Sequence, residues 1–480
     1  MPGSPPPKIL LLYPPITRFE RYSSPIGSAG GQQIPLGIYY LAAYLLKQGI
    51  AVSVIDAETG NYSLEQIYDR YRREQCNLLG ISTTTVAFKR TVEVAEYFKK
   101  RNPSIPIIVG GPHVSSQTKA VMQCASIDYA VPYEGEVSLS ALITAISRHD
   151  DLSTVEGVIY RENSSVIETK RRPLIDDINT IPFPAFHLIP DIRQYTPPPC
   201  NYRRSPVVNI ITGRGCPNNC TFCENATFGR RLRLRSAANV VEEIESHFSS
   251  FGVREIAFVD DTFTMKPQRI YDIFNLLSEK GLKFPWTCMA RIDTVDQKLC
   301  MFMKEHGCWH ISFGIESGDQ HILDIIRKNI RLEQVRRVIA TCHRKGMLTK
   351  GFFMIGHPYE TVESINKTIS FATELSLDDV VVTINTPMPG TEQFRNIATY
   401  GTVDTSNWTT FNYWNPVFVP HGLTAEILKN KHREFYRRFY LRPRIIIRYI
   451  KELAGPAAVK RLIQLFKAFR FLLPGNDGGK

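Results

Sequence analysis

The sequence predicts an α/β chain: a doubly wound N-terminal domain, a second series of βα units, and a helical, basic C-terminal region. Three observations predict it. Short apolar runs alternate with amphipathic helical patterns from Lys8 to Ser147. A second set of apolar runs, each ending in small and polar residues, starts at Val207 and recurs to Glu392. Beyond Pro420 the pattern becomes helical and rich in Lys and Arg. Strand-helix alternation of this kind reads as parallel sheet covered by helices.

In residues 8–150 the strand patterns are Lys8–Tyr13, Ala51–Asp56, Leu78–Ser82, Ile105–Val109 and a weaker Ile127–Val131. Helical patterns fall between them at Leu36–Lys47, Leu64–Glu74, Thr91–Arg101 and Glu136–Ser147. Doubly wound domains bind ligands past the carboxyl ends of their strands. Those ends carry Ser82 and Thr83, then Gly110, Gly111 and His113, then Glu134 and Gly135. Glycines allow close backbone approach to a ligand, and hydroxyls offer hydrogen bonds. Gly-Gly-Pro-His is not G-x-G-x-x-G, so nicotinamide binding is poorly supported. Residues 151–203 read as a connector, with a hairpin-like stretch at Gly157–Lys170 and a proline-rich run after it.

Residues 204–420 hold the chemistry. Cys216, Cys220 and Cys223 lie in GRGCPNNCTFCENATFG with the spacing C-x3-C-x2-C. Three thiolates in one short loop can hold three corners of a cubane iron–sulfur cluster. The fourth iron is then open to a small molecule, whereas electron-carrying clusters normally use four cysteines. The loop follows the apolar run Val207–Thr212, which puts the ligands at the C-terminal mouth of a strand, where α/β barrels build active sites. A structural zinc site usually takes four ligands in separated pairs, and no second C-x2-C follows. Later strand patterns end in Asp260-Asp261, in Arg291, in Gly314-Ile315-Glu316 and in Gly356-His357-Pro358.

The cysteine spacing, with Phe222 before the third cysteine, resembles the radical S-adenosylmethionine (SAM) superfamily. That resemblance implies a partial (β/α)6 barrel over a 4Fe–4S cluster whose open iron binds SAM and cleaves it to a 5′-deoxyadenosyl radical. It implies that Asp260 or Asp261 meets the methionine amino group, that Arg291 faces the SAM carboxylate, and that Gly314 and Glu316 lie at the ribose. The chain reads Val259-Asp260-Asp261 where many relatives have GGE, which leaves open which aspartate makes the contact. The preceding domain, with Ile34-Pro35-Leu36-Gly37, GGPH and EGE, is similar to a cobalamin-binding domain. Together they resemble the cobalamin-binding radical SAM family, which includes class B methylases and the anaerobic magnesium-protoporphyrin ester cyclase. The resemblance covers residues 8–440. It assigns Ser82, Thr83, Gly110, Gly111, His113, Glu134 and Gly135 to the corrinoid. One departure stands out: after Asp56 the chain reads Ala57-Glu58-Thr59-Gly60, without the histidine of D-x-H-x-x-G. His113 is therefore read as a loop residue near the corrinoid tail and not as a cobalt ligand.

The resemblance implies cobalamin-dependent C-methylation of an unactivated carbon, with radical cyclisation or oxidative rearrangement as the alternative and a non-catalytic cluster or corrinoid sensor as a reading of another class. A reductant such as flavodoxin or ferredoxin is implied as a partner. The net charge of +12 is uneven: residues 421–480 carry 14 Lys and Arg against 4 Asp and Glu. Two amphipathic segments in that region, Arg442–Leu453 and Ala457–Leu473, have the pattern of a peripheral membrane element or of helices packed on the barrel. Membrane contact would point to a lipid or isoprenoid substrate. No RNA-binding module is visible, and nucleic acid is not expected as a partner. The N-terminus lacks the features of a signal peptide, and scattered cysteines suggest a reducing cytoplasm, with the inner membrane face as the alternative location.

Overall fold

The computed structural model describes residues 6–22, 31–198 and 201–452. The first sheet holds β1 (Lys8–Tyr13), β2 (Ala51–Asp56), β3 (Leu78–Ser82), β4 (Ile107–Gly110) and β5 (Tyr129–Val131). These five are parallel in the order β2-β1-β3-β4-β5. The order reverses between β1 and β3, which makes their carboxyl ends the crevice of the doubly wound domain. The period-two pattern of β1 decides its layers. Leu10 and Leu12 pack with Ile67, Tyr71, Val94 and Phe98, whereas Ile9 and Leu11 pack with Leu36, Leu45, Leu139 and Leu142. The second of these clusters runs on into the other domain without a break.

Some boundaries differ from expectation: the fifth strand starts at Tyr129 and the third expected helix at Phe88. The fourth strand begins at Ile107, because Pro106 has no N–H to give to a ladder. The hairpin of the connector becomes β6 (Ile159–Glu162) and β7 (Ser165–Glu168), which join the edge of the first sheet antiparallel at β5. The sheet therefore continues past residue 150.

The second domain starts with β8 (Val207–Ile210) and a two-stranded ribbon, β9 (Gly213–Arg214) and β10 (Arg233–Leu234). The cysteine loop spans residues 215–232 between the two ribbon strands. Five further strands follow: β11 (Glu255–Phe258), β12 (Trp286–Ala290), β13 (Cys308–Glu316), β14 (Leu348–Ile355) and β15 (Asp379–Ile384). With β8 they make one parallel sheet in the order β15-β14-β13-β12-β11-β8, and β8 does not pair with β15. This is a partial (β/α)6 barrel. Trp286 is fully buried against Phe258, Phe263 and Phe274, and its Nε1 donates to the His306 carbonyl at 2.8 Å. Cys288, Cys300, Cys308 and Cys342 are buried in the barrel wall, where small apolar side chains are expected.

The C-terminal region covers the β15 edge. Helix Ala425–Tyr440 buries Leu428, Phe435, Tyr436 and Phe439, and Tyr436 Oη accepts the Val382 N–H at 3.0 Å. Helix Pro443–Glu452 docks through buried Ile445, while Arg444 and Arg448 pair with Asp378. Ile446 and Ile447 remain exposed. The segment Ala457–Leu473 lies outside the described residues. Among those residues, no helix is long and apolar enough to cross a membrane.

Candidate active site

The carboxyl ends of the two parallel sheets face one another across a cavity of about 490 Å³. Ser82, Gly110, Gly111, Val131, Glu134 and Gly135 line it from the first domain. Asn209, Ile211, Val259 and Asp261 line it from the barrel, and Glu224, Asn225, Thr227 and Phe228 from the cysteine loop. A second hollow, of about 210 Å³, opens on Cys220 and Cys223 and shares Asn225 with the first.

The loop that carries the cysteines is braced from three sides. Gly215 has φ +87°, and a Cβ there would lie 2.4 Å from the Arg231 carbonyl, so only glycine fits. The Thr221 N–H donates to the Ile326 carbonyl at 3.1 Å. Gln393 donates its backbone N–H to the Thr221 carbonyl and its Nε2 to Thr221 Oγ1, and Asn385 in turn holds the Gln393 side chain. Cys216 Sγ accepts from Asn218 Nδ2 at 3.2 Å, Cys220 is buried, and Cys223 is exposed. A hydrogen bond from Cys223, then the charges of Lys328 and Arg291, hold the Cys220 thiol down to about 6 against the effect of burial.

These residues fit a 4Fe–4S cluster. Three thiols share one loop, two of them, Cys220 and Cys223, border a hollow, one is already biased toward thiolate, and two cations stand close by. Among the described residues no three His, Cys, Asp or Glu side chains converge on one metal-ion position. A cubane does not need that, because each thiolate binds a different iron.

The two aspartates separate cleanly. Asp260 is buried, and its Oδ1 accepts from Thr212 N at 3.0 Å and Thr212 Oγ1 at 2.8 Å. Burial raises it to about 6, opposed by Arg269. It ties the end of β11 to the end of β8. Asp261 instead lines the cavity, and its enclosure there raises its pKa.

Arg291, at the end of β12, is buried and grips Asp293 through two hydrogen bonds of 2.8 and 2.9 Å, with a third to the Lys328 carbonyl. Glu316 ends β13 with φ +71° and accepts from Lys328 Nζ at 2.7 Å. A Cβ on Gly314 would meet that same pair at 2.7 and 2.8 Å, so the glycine makes room for it.

Three neighbours complete the site: Lys328 and Glu360 carry no local signal, and His357 is legible only as part of the strand end Gly356-His357-Pro358. Lys328 lies 12 residues from Glu316 with a helix between, and also sits 5.9 Å over the Phe222 ring. His357 is fully buried with both ring nitrogens unpartnered, and burial lowers it to about 3. Glu360 is buried as well, and burial pushes it up to about 8 although the Gly356 and His357 N–H groups bond its Oε2. The segment HPYE could have been flagged for its titratable pair, but nothing local indicates burial.

On the first domain, Ser82, Gly110, Gly111, Glu134 and Gly135 border the cavity, while Thr83 and His113 do not. Thr83 is buried behind the strand ends, where its carbonyl accepts the His113 N–H at 3.3 Å. His113 packs between Phe88 and Trp408, bonds Thr85 Oγ1 at 3.2 Å, and is lowered to about 4 by burial. Glu134 pairs with Arg214 and Arg233, and Glu136 with Arg214. Burial alone would raise Glu134, but the Arg233 hydrogen bond and the Arg214 charge hold it below the usual carboxylate range. No histidine is among the residues that line the cavity. The walls fit a corrinoid held by shape: they are largely apolar, and a Cβ added to Gly37 would have nothing within 4 Å.

Comparison with known proteins matches both domains. The B12 binding domain family matches residues 23–143, and the Radical SAM superfamily matches residues 210–372. An uncharacterized methyltransferase of Pyrococcus horikoshii is 34% identical over 461 residues, which is 95% of this chain and 97% of that one. The anaerobic magnesium-protoporphyrin IX monomethyl ester cyclase of Rubrivivax gelatinosus is 26% identical over 90% of this chain and 77% of its own. Among solved structures, the cobalamin-dependent SAM radical enzyme OxsB with aqua-cobalamin and SAM bound aligns with TM-score 0.73 at 18% identity, over 97% of this chain and 71% of that one. The radical SAM methyltransferase TsrM of Kitasatospora setae, with cobalamin and a 4Fe–4S cluster bound, aligns with TM-score 0.65 at 18% identity, over 90% and 82%. With 34% identity to one relative over nearly the whole of both chains, and both domain models matched in order along the sequence, the chain belongs to the cobalamin-binding radical SAM family and is an enzyme whose cofactors are SAM, a 4Fe–4S cluster and cobalamin.

Proposed function

We propose that this enzyme methylates an unactivated carbon of a hydrophobic small molecule. The observation that carries the reading is the shared cavity, whose walls come from the corrinoid-side strand ends and the cysteine loop together. One cavity lets a methyl donor and a radical source act on the same substrate carbon. The methyltransferase relative at 34% identity supports the same choice. Radical cyclisation without methyl transfer is the second reading, favoured by the cyclase relative. The sensor alternative falls, because the chain is an enzyme.

When bound, the cofactors supply an electron for SAM cleavage and a carrier for the methyl group. The protein's part is to hold and orient them. In this reading Cys216, Cys220 and Cys223 ligate the cluster. Asp261, open to the cavity, takes the SAM ammonium, while Asp260 keeps β8 and β11 in place. Arg291 presents a guanidinium to the SAM carboxylate, and Glu316, held by Lys328 beside Gly314, accepts from the ribose hydroxyls. Ser82, Gly110, Gly111 and Gly135 give the corrinoid a polar and close-approach wall. Thr83 and His113 support that wall from behind. The apolar walls exclude water from the radical chemistry. A flavodoxin or ferredoxin serves as reductant at the exposed Cys223 side.

The test needs no substrate. The protein is reconstituted without oxygen and given SAM, cobalamin and a strong reductant, and 5′-deoxyadenosine and S-adenosylhomocysteine are quantified by mass spectrometry. Both products are expected, the second only with cobalamin. Deoxyadenosine alone would overturn methylation in favour of the cyclase-type reading.

A further inference from the structure

A buried carboxylate–guanidinium network joins the two domains. We propose that Glu134, Glu136, Arg214 and Arg233 form a positioning clamp that seats the cysteine loop against the corrinoid face. We further infer that this clamp sets how SAM is divided between methyl donation and radical formation, a part that rests on the methyltransferase reading above.

The geometry supports a clamp in three ways. First, Arg214 and Arg233 are the directly opposed pair of the β9–β10 ribbon, so they sit at both feet of the loop that carries Cys216, Cys220 and Cys223. Second, both feet are held by a single turn of the other domain. Arg214 Nη1 donates to Glu134 Oε1 at 2.9 Å, and its Nη2 donates to Glu136 Oε1 at 2.5 Å. Arg233 Nη1 donates to both Glu134 oxygens at 2.9 and 2.8 Å. Third, the connector is tied in as well: the Ile175 N–H donates to Glu134 Oε2 at 2.8 Å, and the Ile175 carbonyl accepts from Arg233 at 2.6 Å.

Glu134 thus accepts on both oxygens, from two guanidiniums and one backbone N–H, with Arg233 Nη1 sharing one hydrogen between the two oxygens. Both oxygens are engaged by the clamp, although the residue borders the cavity. Its place in the sequence pattern is that of a corrinoid contact, but its bonding is that of a domain lock. The four side chains are at most 8% exposed. Two carboxylates balance two guanidiniums, and the planar fork of Arg214 spans two acceptors in a way that lysine cannot reproduce. Buried networks of this kind add little net stability but can select one arrangement over its neighbours.

The experiment uses full-length protein and two variants, Arg214→Lys and the milder Glu136→Gln, which keeps an acceptor oxygen but removes one of the two carboxylate charges of the network. Glu243→Gln serves as control, because its buried pair with Arg235 lies wholly within the barrel. Hydrogen–deuterium exchange of the cysteine loop, residues 215–232, should accelerate about tenfold or more in both variants and not in the control. In the loaded enzyme the ratio of S-adenosylhomocysteine to deoxyadenosine should fall about tenfold, against native, in the variants alone. Unchanged exchange in both variants, or an equal ratio change in the control, would overturn the clamp. Should native protein form no S-adenosylhomocysteine, the methyltransferase reading fails, and the clamp is then decided by exchange.

Discussion

Asp260 and Asp261 show how neighbouring residues of one type acquire different work. Asp260 satisfies the Thr212 N–H and hydroxyl inside the barrel, so Asp260→Ala should orphan a buried donor and cost about 1–3 kcal/mol in thermal or denaturant melts. Asp261→Asn should leave the melting temperature in place and weaken SAM binding, read by titration. The reverse pattern would exchange their roles. Cys220→Ala should abolish cluster assembly and SAM cleavage, and cleavage retained in that variant would contradict the ligand assignment. Glu360 supplies a pH signature. Its folded-state pKa is raised to about 8 by burial, so folding takes up a proton that the unfolded chain releases near 4.5. The stabilisation is complete below the unfolded value and is lost as pH rises through about 8. Glu360→Gln should therefore flatten the fall in melting temperature between about pH 5 and pH 9 relative to native. Parallel curves for the two proteins would mean that Glu360 does not hold its proton.

At the scale of elements, strand alternation and helix faces were readable because they are local. Helix Leu36–Lys47 falls where its pattern placed it, and its start delivers Gly37 to the cavity wall. Gly37→Leu should fold normally, since a Cβ there meets nothing within 4 Å. It should weaken cobalamin binding about tenfold or more, measured by absorbance titration, because the added side chain takes space the corrinoid needs. Unaltered affinity would place the corrinoid elsewhere. The cysteine loop was legible for a similar reason, since spacing within eight residues records which thiols can share a cluster. Its braces were not legible. Gln393 reaches Thr221 across 172 residues, and Lys328 meets Glu316 only because the chain folds back after β13.

At the scale of the whole molecule, two parallel sheets present their carboxyl ends to each other, and one apolar cluster runs through both domains. That docking makes the cavity, and the ion network at its edge fixes the loop that the chemistry needs. The helices after Pro420 cover the β15 edge, which would otherwise offer unpaired backbone. The docked helix Pro443–Glu452 uses Arg444 and Arg448 for Asp378, so part of the basic charge serves the fold. Leu441, Ile446 and Ile447 are exposed on or beside it, and residues 453–480 carry five Lys and Arg against one Asp. Protein truncated after Glu452 should no longer sediment with anionic phospholipid vesicles at low salt, while full-length protein should. Equal sedimentation would remove the tail as a membrane element.

The sequence by itself determined the two α/β units, the cysteine trio and the order of strand ends that carry polar residues. These are properties of spacing and periodicity, which the backbone converts directly into geometry. Only the tertiary structure decided which strand-end residues face the cavity. It turned Asp260 inward and left Asp261 open, set Thr83 and His113 behind the wall, and tied Glu134 to arginines 80 and 99 residues away. Such choices depend on where a second domain docks, and no local pattern in the chain encodes that.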